Sequence, residues 1–169
     1  MKTDMPRQSL LVFSLVTLMI LMGCADEPQL TAPTITGEET LSCLVDSEVW
    51  IPRVHIVSLI PSKSIIFADS SLIVEARNEV DVKDGNSESL LLECYRNIAT
   101  GELSVTGGRF TRGTTPYEQL VPGSAYMRVT ALDTVKKIIA GRFQFKARSM
   151  KGKVIDITDG RFDVHYQRY

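Results

Sequence analysis

The chain has 169 residues, with 19 basic and 20 acidic side chains, a net charge of −1 at pH 7 and 44% hydrophobic residues. That length suits a single domain able to bury about two-thirds of its unfolded surface. Nothing in that balance of charge suggests a nucleic-acid binder or a polybasic membrane patch.

In chain order, the positive tip MKTDMPRQ precedes an uncharged run from Leu10 to Met22. As a helix this run spans roughly 20 Å, short of the ~30 Å hydrocarbon core, and it fits an export leader better than a membrane span. The run ends on Leu21-Met22-Gly23-Cys24, which resembles a bacterial lipobox. In a lipobox the cysteine thiol takes a diacylglycerol and the chain is cut just before it. The expected organisation is a lipoprotein signal peptide over 1–23, a flexible tether over 24–39 and one domain over 40–169. Cys24 would carry the lipid, and several acyl chains on one residue suffice for stable anchoring. Ala25 lacks the aspartate of an inner-membrane retention signal, so the expected address is the outer membrane, on its periplasmic or surface side. Ala25 to Glu39 holds two prolines, three threonines and four carboxylates. As a flexible coil it reaches roughly 20 Å.

From Leu41 onward short alternating runs replace any helical period. Leu41, Cys43 and Val45 share one face, as do Leu90, Leu92 and Cys94, and Met127 and Val129. The clearest run is KIIAGRFQFKAR, where Ile139, Gly141, Phe143, Phe145 and Ala147 alternate with Arg142, Gln144, Lys146 and Arg148. An oily face opposite a polar one marks a half-buried antiparallel strand. Near the end Phe162, Val164 and Tyr166 point the same way. Turn signals at Asp84-Gly85-Asn86, Pro122-Gly123 and Lys151-Gly152 separate these runs. The expected fold is all-β, an antiparallel β-sandwich or small β-barrel of about eight to ten strands. The tripeptide Gly-Arg-Phe occurs three times, starting at Gly108, Gly141 and Gly160, at unequal intervals. It reads as local chemistry, with glycine allowing close approach and phenylalanine filling the core beside it.

The segment CLVDSEVWIP from Cys43 to Pro52 resembles the opening of uncharacterised lipoproteins of Bacteroidota, which often have Asn-Gly where this chain has Asp46-Ser47. The block from Ile139 to Tyr166, with its Ile-Thr-Asp-Gly-Arg-Phe-Asp core, resembles their closing strands. These stretches cover about a quarter of the chain. The resemblance implies a β-rich lipoprotein and brings no catalytic residue with it.

Few side chains suggest chemistry. With Cys24 lipidated, Cys43 and Cys94 remain as an even pair outside the cytosol, where a disulfide can persist. Each is equally readable as a small buried hydrophobe. Asp163 and His165 share the polar face of their strand, without an evident nucleophile to serve. The stretch DVKDGNSE (81–88) has the flavour of a calcium loop but lacks its spacing, so neither a metal nor a cofactor is expected. Arg142, Lys146, Arg148 and Arg161 make a basic patch if their strands are neighbours. Trp50 and Tyr126 are candidate sugar-stacking platforms, and Trp50 is also readable as a core plug. The expected role is a non-enzymatic domain holding a small ligand or an envelope protein. A glycan-binding module is the alternative, and a hydrolase ranks third.

Overall fold

Alternation sets the architecture. The computed structural model describes residues 29–54, 62–68, 71–80, 87–95 and 98–168, and these contain twelve strands and no helix. The strands are β1 (Thr40–Val45), β2 (Glu48–Trp50), β3 (Lys63–Ala68), β4 (Ser71–Asn78), β5 (Glu88–Tyr95) and β6 (Gly101–Leu103). There follow β7 (Val105–Arg112), β8 (Thr115–Leu120), β9 (Tyr126–Asp133), β10 (Ile138–Ser149), β11 (Val154–His165) and β12 (Gln167–Arg168). The excess over the expected count comes from pieces of two or three residues, too short to show a period. The leader, Cys24 and the 81–86 turn lie outside the described residues.

One hydrogen-bonded path, β12-β3-β4-β5-β7-β8-β10-β11-β1-β2, joins the strands, with β9 alongside β10 and β6 alongside β9. All strand pairs are antiparallel except β12 with β3. The path does not close into a barrel, and the fold is sandwich-like. β12 continues from β11 after one residue, so its pairing with β3 links one end of the path to a strand near the other.

The interior is filled by large side chains. Phe110, Phe143, Phe145, Leu41, Leu72, Leu90, Leu92, Met127, Ile139 and Ile157 are essentially inaccessible to solvent. All five expected core residues of β10 and β11 (Ile139, Phe143, Phe145, Phe162 and Val164) are buried. Trp50 belongs to this core too. Its ring meets Phe110 edge-on at 5.8 Å between centroids, and its indole N–H donates to Glu88 at 2.9 Å. Glu88 also holds Arg112 at 2.7 Å, so the corner is fully paired. Trp50 is a core plug and is unavailable as a ligand platform.

β11 reverses its inward phase part-way along. Ile155 and Ile157 point inward at odd positions, then Gly160, Phe162 and Val164 at even ones. The register with β10 slips between Phe143 and Phe145, so that Gln144 opposes both Thr158 and Asp159. Asp159 sits at φ 50°, the left-handed conformation of a bulge residue. This extra residue is what puts both apolar halves of β11 into one core.

The β1–β2 turn forms with Asp46 at φ 51° and Ser47 at φ 70°, both left-handed, as a tight hairpin turn of the mirror-image type requires. Asp46 contributes here, accepting from the Asp156 amide at 3.0 Å. Ser47 makes no such return on its strained conformation. Ser47→Gly is expected to raise stability by roughly 0.5–1 kcal/mol, since relief of the left-handed penalty outweighs the added freedom of the unfolded chain. Thermal unfolding measures it as a higher midpoint.

The expected tether is ordered over its second half. Residues 29–39 lie along the outer face of β10, β11 and β1 as a strap. The Thr31 amide donates to Ser42 Oγ at 3.0 Å, and the Thr36, Gly37 and Glu38 amides all point at the Asp163 carboxylate. Polar composition suggested a solvated coil, but here the polar groups serve as backbone anchors. Ile138 and Ala140 are buried on the face of β10 away from the core, and Gly37 of the strap lies against Ile138.

Candidate anion-binding cleft

Two of the three Gly-Arg-Phe tripeptides pair with each other. In the antiparallel β10–β11 ladder Gly141 lies opposite Phe162, Arg142 opposite Arg161 and Phe143 opposite Gly160. Each phenylalanine ring covers the glycine across from it. A Cβ on Gly160 would come within 2.6 Å of the Phe143 ring, and one on Gly141 would meet both the Phe162 ring and the Arg128 carbonyl at 2.6 Å. The rings then pack on each other at 6.4 Å between centroids. Glycine is required because an aromatic ring occupies the space where a side chain would stand.

With the phenylalanines inward, the middle residue of each tripeptide must point outward. Arg142 and Arg161 are therefore direct cross-strand neighbours, with Cβ atoms about 4.5–5.5 Å apart. On its other side Arg142 opposes Arg128 of β9, and Arg128 opposes Glu102 of β6. Three guanidinium groups thus stand abreast on adjacent strands, with one carboxylate at the outer end. Arg161 is partly engaged, since Nη1 donates to the Thr31 carbonyl at 3.0 Å and Nε to the Asp159 carbonyl at 3.4 Å. Neither Arg128 nor Arg142 has a hydrogen-bond or ion-pair partner among the described residues. Like charges directly opposite one another are destabilising. The row is therefore an unsatisfied electrostatic arrangement in the free chain.

Between the strap and this row runs a cleft of about 200 Å³, lined by Ala32, Pro33, Thr34 and Ile35 on one side and by Thr130, Arg142 and Arg161 on the other. It is smaller than the ~300–1,000 Å³ of sites that enclose a drug-sized ligand, and it admits a headgroup-sized fragment. Ile35 is 60% exposed at its rim.

Asp163 sets the strap wall. It is 1% exposed and accepts from the Thr36, Gly37 and Glu38 amides at 2.9, 2.8 and 3.4 Å. Burial alone pushes this carboxyl up. The neighbouring Thr34 hydroxyl, at the margin of hydrogen-bond geometry, and the three amides outweigh that and hold it below its ordinary value. Asp163 shares the outer face with His165, but the strap covers it and its lone pairs are taken. His165 instead contacts Glu39 at 2.8 Å.

Of the basic residues expected to form a patch, Arg142 and Arg161 come together. Lys146 is paired with Asp156 at 2.6 Å and is not free for a ligand. Arg148 lies farther along β10, between Gln119 and Val154. Arg128 was missed because nothing local in β9 says that it will neighbour β10. Cys43 and Cys94 are separate, buried thiols rather than a disulfide. The Cys94 thiol faces Met127 Sδ at 3.4 Å, whereas Cys43 lies on β1 opposite Trp50. Burial pushes the Cys94 thiol up to about 11 and, with help from the Glu88 carboxylate, the Cys43 thiol well above the ordinary range. Both stay protonated and unreactive at neutral pH. No group of three or more His, Cys, Asp or Glu side chains able to hold a metal ion occurs among the described residues. No protein-family model, curated protein or solved structure matches the chain.

Proposed function

We propose that this chain is a lipid-anchored domain of the bacterial outer envelope that binds an anionic ligand or partner without chemical conversion. The observation that carries the binding reading is the row Arg128, Arg142 and Arg161 beside the strap cleft, with two of its three cations unpaired. An anion between these side chains removes the mutual repulsion and gains charge-assisted hydrogen bonds. The anchoring reading rests on Leu21-Met22-Gly23-Cys24 at the end of the oily leader. The glycan alternative is weaker, because one of its two candidate aromatics, Trp50, is committed to the core.

Two measurements test the two halves. Cys24→Ser is expected to release the protein from membranes or to leave the precursor uncleaved. Fractionation that finds the variant processed as before and still membrane-bound would refute the anchor. Separately, the full chain should be retained on phosphocellulose in a salt-sensitive manner, and R142Q/R161Q should elute markedly earlier. Equal retention of the two proteins rules out the cleft as an anion site.

A further inference from the structure

The position of the strap makes the ligand class more specific. We infer that the Arg128–Arg142–Arg161 row, with Ile35 at the cleft rim, seats on the phosphate headgroups of the membrane that holds the chain's own anchor. This inference rests on the reading of Cys24 as the lipidated residue.

Reach is the first argument. Thr31 is fixed to the sheet, with its amide on Ser42 and its carbonyl on Arg161. Seven Cα–Cα steps separate it from Cys24, and a fully extended chain covers at most about 25 Å in that interval. A domain of this size is roughly 35 Å across. The leash is shorter than the domain is wide, so the face carrying Thr31 and Arg161 is held toward the bilayer and the opposite face away from it.

The chemistry of that face is the second argument. Three arginines stand in a row, with Glu102 opposite Arg128 at the outer end and, beside Arg161, Asp163, whose lone pairs the strap amides already take. The nearby Asp156 is neutralised by Lys146. Guanidinium matches phosphate oxygens in a two-pronged geometry that ammonium lacks. The cleft admits a headgroup-sized fragment, and the exposed Ile35 side chain beside it can enter the interfacial layer while the arginines stay at phosphate depth. A soluble anion would use the arginines but would have no use for an exposed isoleucine at the rim.

The test uses the full chain isolated from its own envelope, with intact mass and peptide mapping reporting whether lipid is on Cys24. The protein is placed in nanodiscs of phosphatidylcholine alone or of phosphatidylcholine mixed with phosphatidylglycerol. Amide hydrogen exchange is then followed over residues 29–36. Each arginine near an anionic surface contributes roughly fivefold, so exchange in the strap should slow by up to the order of 100-fold in the anionic discs. High salt should abolish the difference, and R128Q/R142Q/R161Q should lose it while the β10–β11 core amides stay protected. Equal strap exchange in the two kinds of disc, or an unchanged difference in the triple variant, overturns the inference. If inorganic phosphate alone gives the same protection to the detergent-solubilised chain, the site serves a soluble anion and the headgroup assignment is wrong. In that case the anion-binding cleft still stands. A lipid found elsewhere than on Cys24 counts instead against the anchor reading.

Discussion

Phe145→Ala is expected to destabilise the domain by roughly 3–5 kcal/mol, the range for emptying a fully buried phenylalanine site. Phe145 is 0% exposed and stands on the longest stretch of regular alternation in the chain. Its ring also fills space beside Gly108, where a Cβ would lie 3.2 Å from it, so it joins β10 to the glycine of the first Gly-Arg-Phe tripeptide. Collapse around the lost ring would have to move both strands, and packed sheets do this poorly. Denaturant unfolding gives the number directly. A loss below about 1 kcal/mol would mean that the two strands do not share one core.

Asp163→Ala is the second large effect. It leaves three consecutive strap amides without their acceptor, and an unsatisfied buried amide costs about 1–3 kcal/mol. The strap can escape part of this by peeling into water, so the expected net loss is roughly 3 kcal/mol, with rapid exchange confined to residues 29–38. Asp163→Asn should fare little better, because it discards the charge and turns a donor toward donors. The pH dependence has a definite sign. The folded-state pKa lies below the unfolded value, so the carboxylate's contribution is complete above about pH 4 and is lost as pH falls through the lower, folded value. The wild-type strap should therefore loosen in acid before the core does. The alanine variant should show no such step, and an identical acid profile in both proteins would contradict the clamp.

The parts of this architecture that could be read along the chain are those set by neighbours in sequence. Ile139 to Ala147 announced their strand because a period of two needs no partner to be visible. The role of the strap was hidden for the opposite reason. Its threonines and carboxylates look like those of a solvated linker, and only Asp163, more than a hundred residues away, turns their amides into anchors. The arginine row was half visible. Arg142 and Arg161 could be named as cations on outward faces, but their adjacency depends on a register in which each tripeptide's phenylalanine covers the other's glycine. Lys146 looked identical to them and differs only because Asp156 lies opposite. The open question of the cysteines was one of distance, which alternation does not encode.

The pairing of β1 with β11 has a consequence in time as well as in space. Residues 40–45 find their partners only at 157–163, and the Asp163 clamp on Thr36 spans 127 residues. Contacts so distant in sequence must repay loop-closure entropy before they stabilise anything, and β-rich domains built on them fold in milliseconds to seconds rather than microseconds. The first strand cannot be housed until residues 157–163 have been released. For a chain exported as proposed here, which must pass a secretion channel unfolded, late closure keeps the passenger threadable. Under that proposal the domain would complete itself only on the far side.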